Sequence, residues 1–354
     1  MKKIGIVADP VFLSHCIEKS SFAHPIETPE RLMPLYARFI RDLDENPLYS
    51  LYQPANESLD NIKQVHSDFY LRQLQSAKSK KNPFWYCSET YITPNTLKIA
   101  VLASNAVVQL ASAIHNGEID SAYAIIRPPG HHADRSQAMG YCILNNVAIA
   151  ATHLLENCGI SKILILDFDA HHGNGTQRIF YDSNKVLFVS IHESNLFPKR
   201  SGQICETGIE NGLGYTVNLP VYSSFGDLEY MYILSKIVEP IVTQYQPEFI
   251  IVSAGYDGHE RDSISNLQLT TDWFDYASRV LKNWASRFSD NRLLFVLEGG
   301  YNPDVLDAAI TGTLRILAES GVPTFQEYPL SPRAINWANR EVYPTLSKLW
   351  SISG

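Results

Sequence analysis

This 354-residue sequence predicts an α/β fold, with a central and mostly parallel β-sheet flanked by helices on both faces. Short aliphatic runs alternate with segments of helical periodicity, which is typical of parallel sheets covered on both faces. Polar residues follow the aliphatic runs directly, and ligands of such sheets bind beyond the carboxyl ends of the strands. We therefore expect a functional site at that edge of the sheet.

Six runs have the length and composition of buried strands: KIGIVAD (3–9), AYAIIRPPG (122–130), KILILDFD (162–169), VLFVSIH (186–192), FIIVSAGYD (249–257) and LLFVLEGGYN (293–302). Helical periodicity marks segments 95–116, 143–157, 228–245, 271–287 and 303–320. No linker rich in proline, glycine or serine, no charge block and no internal repeat interrupts the sequence. We therefore expect one domain over residues 1–354.

Composition excludes several classes of function. The net charge of −8 argues against direct nucleic-acid binding and mildly favours cationic substrates. The five cysteines form no CxxC pair, which indicates reduced thiols in a cytosol-like compartment. Asp9 and Pro10 interrupt the N-terminal apolar stretch, so we predict a strand there, no cleaved signal and no membrane span. We expect a cytoplasmic protein; export to a host cell without a cleaved signal and the oligomeric state stay open.

Reactive side chains follow four of the runs. In chain order they are His131 and His132, then Asp167, Asp169, His171 and His172, then Asp257 and His259, then Glu298 and Tyr301. A single polar residue at a strand end is usually structural. Four such groups converging on one edge of a sheet indicate a site.

Asp169 and His171 are candidate ligands of a zinc ion. Residues two apart on an extended chain share a face, and Asp257 follows another buried strand as the natural third ligand. Three protein ligands leave a position open for water and substrate, which is the catalytic arrangement. Because two carboxylates neutralise the divalent charge, such a site acidifies its water weakly and needs a separate general base.

His131 and His132 are the candidate bases. Asp167 and Asn174 are the expected hydrogen-bond acceptors for their far nitrogens. His172 points away from His171, so we expect a packed, hydrogen-bonded histidine there, and His259 stays undecided.

The segments RPPGHHA, GYCILNN, DFDAHHGNGTQ, SAGYDGH and LEGGYN, in this order, resemble the signatures of the zinc-dependent histone deacetylase family, which includes acetylpolyamine amidohydrolases. The resemblance extends from about Thr28 to the helix after Tyr301, and HHGNGTQ with LEGGYN is more similar to class II than to class I. It implies the arginase–deacetylase fold and a hydrolase that removes acyl groups from amines.

The resemblance also implies residue roles. Asp169, His171 and Asp257 would bind Zn²⁺, and His132 would act as general base and then as acid, with His131 as its electrostatic partner. Tyr301 would donate a hydrogen bond to the amide oxygen. Relatives with histidine in place of this tyrosine are poor catalysts, so Tyr301 favours real activity. Asn174 stands where class I enzymes have aspartate, which predicts a less basic His132.

Further positions match the substrate tunnel of the family. Tyr141 and Phe197 would form its aromatic walls, and the carbonyl of Gly140 would contact the amide N–H. Glu89 would lie at the rim, and Arg31 near the inner end. The resemblance also suggests K⁺ or Na⁺ sites, an inner one at Asp167, Asp169, His171, Ser190 and Ile191 and an outer one at Phe180, Ser183, Val186 and Tyr215.

Two substrate classes compete: acetylated lysine in proteins such as histones, and acetylated polyamines. A polyamine-selective eukaryotic relative carries a gatekeeper glutamate seven residues after the last metal aspartate, where this sequence has Ile264. Glu260 and Asp262, in the flanking segment HERDSIS, are expected near the mouth of the pocket, either as attractors of an ammonium group or as a solvated loop. We expect protein lysine deacetylation, with acetylpolyamine deacetylation as the alternative.

Three rival classes fit the sequence less well. A non-catalytic acyl-lysine binding module predicts loss of a ligand or of the tyrosine, and neither is lost. A serine hydrolase predicts a GxSxG segment after a strand, and the sequence has none. An arginase-like binuclear manganese enzyme needs further carboxylates where the histidine pair stands.

Overall fold

The computed structural model describes residues 3–17, 26–42, 46–79, 83–321, 323 and 328–353. The strands within these residues are β1 (Lys3–Val7), β2 (Tyr49–Leu51), β3 (Phe84–Trp85), β4 (Tyr91–Ile92), β5 (Ile119–Ala124), β6 (Ile163–Asp167), β7 (Val186–Glu193), β8 (Thr216–Val221), β9 (Phe249–Ala254) and β10 (Leu293–Leu297). Eight of these form one parallel sheet in the order β2-β1-β5-β10-β9-β6-β7-β8. Strands β3 and β4 form a separate antiparallel pair.

The helices surround this sheet, and their periodic apolar faces form the core with it. Within the described residues they are α1 (Met33–Asp42), α2 (Asp60–Lys63), α3 (Asp68–Ser76), α4 (Thr96–His115), α5 (Asn146–Asn157), α6 (Asn174–Phe180), α7 (Asp227–Tyr232), α8 (Glu239–Tyr245), α9 (Thr271–Phe288), α10 (Pro303–Ala318), α11 (Pro332–Trp337) and α12 (Tyr343–Leu346). Wider π-helical turns at Ile233–Val238 and Ala338–Val342 connect α7 to α8 and α11 to α12.

The predicted α/β architecture is confirmed. All six predicted strands are present, and strands β6, β7, β9 and β10 are buried along their whole length. One strand lies earlier in the chain than predicted. Strand β5 begins at Ile119 and ends at Ala124, before the two prolines of the predicted run 122–130. The edge strands β2 and β8 were not predicted: β2 is short and partly exposed, and Asn218 and Pro220 interrupt the aliphatic pattern of β8.

Among the described residues, α4 has the length and apolar composition of a membrane-crossing helix. Most of it is buried inside the protein, where it packs against α5 and β5. This burial is what a core helix of the α/β architecture requires.

The strand order determines where the reactive residues lie. Strands β5, β10, β9 and β6 are consecutive neighbours at the centre of the sheet. Their carboxyl ends therefore lie side by side, and the four segments that follow them meet above this edge.

Candidate active site

A cavity of about 290 Å³ lies beyond the carboxyl ends of the central strands. It combines apolar walls with a few polar groups, as small-molecule sites do. The lining comprises Glu89, Pro129, His131, His132, Gly140, Tyr141, Cys142, Asp169, His171, Leu196, Phe197, Ile264, Gly299 and Tyr301.

Three buried side chains form a candidate metal centre, and two of them, Asp169 and His171, line the cavity. The Nδ1 atom of His171 lies 2.8 Å from Asp257 Oδ2 and 3.0 Å from Asp169 Oδ1. One ligand atom from each residue lies within 4.8 Å of the other two. Backbone N–H groups hold the carboxylates in place, since Ala170 donates to Asp257 and Gly299 donates to Asp169, each at 2.8 Å.

The charge of this cluster favours a cation. Burial alone would lower the pKa of His171, but the charge of Asp257 and hydrogen bonds to both carboxylates raise it to about 10. Two buried carboxylates thus stabilise a positive charge at the point where the imidazole nitrogen lies. An N/O donor set of one histidine and two aspartates fits a divalent ion such as Zn²⁺.

The adjacent histidines have different partners. His131 Nδ1 lies 2.9 Å from Asp167 Oδ2, and His132 Nδ1 lies 2.7 Å from Asn174 Oδ1. Burial lowers the pKa of His131, but the charges of Asp167 and Asp169 outweigh it and raise the value to about 10. Burial and the neighbouring charge of His131 lower the pKa of His132 well below its usual value.

Aromatic rings form the cavity walls. The Phe197 ring lies edge-on to His132 at 5.2 Å between centroids, and Tyr141 lies 6.2 Å from Tyr301. Gly140 has a φ of +54°, and a Cβ at this position would lie 2.2 Å from the His132 ring. Glycine is therefore required where the backbone approaches the histidine.

The segment from Gly299 to Tyr301 closes the inner wall. Burial raises the pKa of the Tyr301 hydroxyl well above its usual value, so it stays protonated and available as a donor. Arg31 lies behind Tyr301, with its guanidinium carbon 5.0 Å from the ring centroid, and donates to the carbonyl of Glu298 at 2.6 Å. Arg31 is thus buried beside the ring of Tyr301, and its predicted place at the inner end of the pocket stays a prediction.

Glu89 supplies a carboxylate to the cavity wall. Its Oε1 accepts from the Gly140 N–H at 3.1 Å and from the Cys87 thiol at 3.2 Å. Burial would raise the pKa of Glu89, but hydrogen bonds from Ser88, Cys87 and Gly140 lower it. The carboxylate is therefore ionised at neutral pH.

Some residues of the two suggested cation sites are neighbours in the structure, and the sites themselves stay a prediction. At the inner site, Asp167 on β6 pairs with Ser190 on β7, and the Asp169 N–H donates to Asp167 Oδ1 at 3.1 Å. The residues named for the outer site lie at the end of α6, in the following turn, and at the neighbouring starts of β7 and β8: Phe180, Ser183, Val186 and Tyr215.

The two histidines left without a catalytic role have structural partners. His172 is buried, with Nδ1 at 2.7 Å from Ser201 Oγ and Nε2 at 2.9 Å from Gln177 Oε1, as expected of a packed histidine. His259 accepts from the Arg261 N–H at 3.0 Å, and its Nε2 lies 3.3 Å from Thr271 Oγ1.

Asp262 has a different environment from either alternative suggested by the sequence. It is neither a solvated loop residue nor free to attract an ammonium group, because it is only 6% exposed and accepts the backbone N–H groups of Tyr301 and Asn302. Glu260 is exposed to solvent.

Sequence reasoning missed a second layer of buried charge behind the site. Glu298, which had no assigned role, accepts the N–H groups of Gly130 and His131 at 2.7 and 3.1 Å. Glu27 forms ion pairs with Arg31 and Arg127. A signal existed for Arg127, since a charge directly after an aliphatic run is costly to bury unpaired, but its partner Glu27 lies 100 residues away in the sequence.

Comparisons with known proteins identify relatives of this chain. The model of the histone deacetylase domain matches residues 24–317. A probable deacetylase of Archaeoglobus fulgidus is 39% identical over 299 residues, covering 84% of this chain and 81% of that protein. Histone deacetylase HDA1 of Candida albicans is 31% identical over 94% of this chain, which spans only 42% of that longer relative.

A solved structure has the same fold. The crystal structure of the HDA15 HD domain superposes with a TM-score of 0.90 and 27% identity, covering 99% of this chain and 96% of that one. With the domain match spanning most of the sequence, this chain belongs to the histone deacetylase family and is a deacetylase.

Proposed function

We propose that this deacetylase is zinc-dependent and removes acetyl groups from lysine side chains of proteins, including histones. The observation that carries the proposal is the juxtaposition of the His171–Asp169–Asp257 cluster with His132 at one cavity, which His171, Asp169 and His132 line. His171, Asp169 and Asp257 would hold one zinc ion. When bound, zinc would supply Lewis acidity toward the substrate oxygen and the attacking water.

His132 is suited to move the proton. Its Nδ1–H donates to Asn174, which leaves the lone pair of Nε2 free to accept a proton from water. Its lowered pKa keeps the ring uncharged at neutral pH. After water attacks the amide carbon, the same nitrogen delivers the proton to the leaving amine.

His131 and Tyr301 would stabilise the charge that develops in the reaction, whereas His132 transfers the proton. The raised pKa of His131 keeps a positive charge beside His132 and beneath the reacting amide. The Tyr301 hydroxyl stays protonated and would donate a hydrogen bond to the amide oxygen as negative charge develops there.

The shape of the cavity supports a lysine side chain as the substrate stem. Phe197 and Tyr141 offer flat apolar walls to a methylene chain, and Ile264 adds an aliphatic group to the lining. Asp262, one of the two acids considered as attractors of an ammonium group, is committed to backbone hydrogen bonds.

A second candidate substrate is an acetylated polyamine. Glu89 favours it, because this ionised carboxylate lies in the cavity wall and could pair with a distal ammonium group. The same carboxylate would serve a peptide substrate by accepting backbone N–H groups at the rim.

A paired assay distinguishes the two substrates. Acetyl-lysine peptides should be hydrolysed with a higher kcat/KM than acetylputrescine and acetylspermidine, and a chelator should abolish both activities. Faster turnover of the acetylpolyamines by orders of magnitude would reverse the substrate assignment.

Two subordinate proposals concern a monovalent cation, which the family resemblance suggests, and the cellular location. A K⁺ or Na⁺ ion at the inner site would offset the carboxylate charge of Asp167 beneath the metal centre. The reduced cysteines favour a cytoplasmic location.

A further inference from the structure

We propose that Asp262 is a positioning residue that holds the Tyr301 hydroxyl in place for catalysis. This inference rests on the proposed role of Tyr301 and adds a residue that sequence reasoning had placed at the mouth of the cavity. Asp262 follows the candidate metal ligand Asp257 by five residues and belongs to the segment that leads to Ile264.

The geometry joins the two segments tightly. Asp262 Oδ2 accepts the Tyr301 N–H at 2.6 Å and the Asn302 N–H at 3.1 Å, and Oδ1 accepts the Ile264 N–H at 3.3 Å. The side-chain amide of Asn302 also donates to the carbonyl of Arg261 at 2.9 Å. A buried carboxylate that accepts several N–H groups forms strong, charge-assisted hydrogen bonds.

The segment from Gly299 to Tyr301 needs hydrogen bonds of this kind to hold its backbone in one conformation. Tyr301 follows two glycines, which restrict the backbone less than any other residue, and Gly300 has a φ of +111°. The Gly299 N–H donates to Asp169 at one end of the tripeptide, and the Tyr301 N–H donates to Asp262 at the other. Only the first contact involves a candidate metal ligand, so the second can be removed without altering that ligand set.

A preorganised donor stabilises developing charge because it needs no reorganisation during the reaction. Asp262→Asn keeps the volume of the side chain and one acceptor oxygen, but its amide group cannot accept from an N–H. In one orientation the amide donor faces the Tyr301 N–H, and in the other the hydrogen bond to Tyr301 loses the charge that strengthened it. We expect kcat to fall about 10- to 100-fold, the effect of a displacement near 1 Å, while KM changes by less than about twofold because ground-state binding is retained.

A double-mutant cycle with Tyr301→Phe tests this inference. If Asp262 acts through the hydroxyl, Asp262→Asn should lower kcat in the Tyr301 protein and have little further effect in the Tyr301→Phe protein. Zinc content and the thermal midpoint are measured for all four proteins. Asp304→Asn is the matched control, because Asp304 is exposed and lies close to Tyr301 in sequence. This variant should retain full activity.

Asp262→Glu is carried through the same cycle, which keeps the test decisive if Asp262→Asn yields too little folded protein. Its carboxylate is displaced by one methylene group, so kcat should again fall in the Tyr301 protein and change little further in the Tyr301→Phe protein. If the Asp262 substitution lowered kcat by the same factor in the Tyr301 and the Tyr301→Phe proteins, or if it removed zinc, the inference about Asp262 would be overturned, while the role of Tyr301 would stand. Full activity of the Tyr301→Phe single variant would instead contradict the proposed role of Tyr301.

Discussion

His132 Nδ1 lies 2.7 Å from the side-chain oxygen of Asn174, whereas its neighbour His131 lies 2.9 Å from the carboxylate of Asp167. Two adjacent imidazoles thus have partners of different charge, and their pKa values diverge: about 10 for His131 and well below the usual value for His132. Environments that separate the pKa values of two titratable groups assign their roles. His131 supplies fixed charge, and His132 exchanges the proton.

Asn174→Asp should shift the acid limb of the pH–rate profile to higher pH. A carboxylate stabilises the imidazolium form and raises the pKa of His132, by about one unit for a close opposite charge. Because the neutral ring is the active base, kcat/KM should then begin to fall at a higher pH. The measurement is kcat/KM between pH 5 and 9, and Asn211→Asp, at an exposed position, is the control. An unchanged profile would remove Asn174 from this role.

Tyr301→Phe should reduce kcat about 100- to 1,000-fold, the usual cost of removing one oxyanion donor. The ring still packs beside Arg31, so the fold and the metal centre should be retained. Steady-state kinetics and zinc analysis on the same sample check both expectations. Tyr222→Phe removes a hydroxyl bonded to the distant Glu341 and should have no effect. Near-normal turnover of Tyr301→Phe would contradict the assigned role.

Asp257→Asn should weaken zinc binding at least about 100-fold, because removing a ligand costs more than removing a group that orients one. His171 has a raised pKa in the metal-free protein, so protons compete with the metal and zinc affinity should also decrease as the pH falls. Equilibrium dialysis at several pH values measures both effects. Asp182→Asn, at an exposed position, is the control. Unaltered zinc affinity in the Asp257 variant would contradict the ligand set.

Ile264→Glu should shift the preference toward acetylpolyamines. A carboxylate in the cavity lining would pair with a substrate ammonium group, which at a half-exposed position is worth on the order of 1 kcal/mol, or about fivefold in kcat/KM. The measured quantity is the ratio of kcat/KM for acetylspermidine to that for an acetyl-lysine peptide. Ile264→Gln is the control, because it adds a polar group of similar size without the negative charge. A ratio that is equal in both variants would show that Ile264 does not select by charge.

The sequence was sufficient for the architecture and for the residues that follow the central strands. Buried strands and the acids and histidines at their ends carry strong signals, because unbroken aliphatic runs and costly polar residues are rarely adjacent by chance. Asp169, His171 and Asp257 were therefore predicted as a group, and the structure brings them together. The edge strand β8 was missed because Asn218 and Pro220 interrupt its apolar pattern.

Residues whose side chains accept backbone N–H groups could not be recognised from the sequence pattern. Asp262 was placed near the mouth of the cavity because its segment flanks the gatekeeper position at Ile264, yet its side chain accepts the N–H groups of Tyr301 and Asn302. Its partners lie about 40 residues away in sequence, so no local pattern reports the contact. Glu298 holds the N–H groups of Gly130 and His131 in the same way, and the choice of these partners depends on the strand order alone.

The most direct test of the central claim is a zinc titration of the metal-free protein, followed by the rate of acetyl-lysine peptide hydrolysis. Deacetylation should be absent without metal and should rise in proportion to bound zinc until one equivalent per chain, with Asp257→Asn failing to respond over the same range. Full hydrolysis by the metal-free protein would contradict the zinc-dependent mechanism.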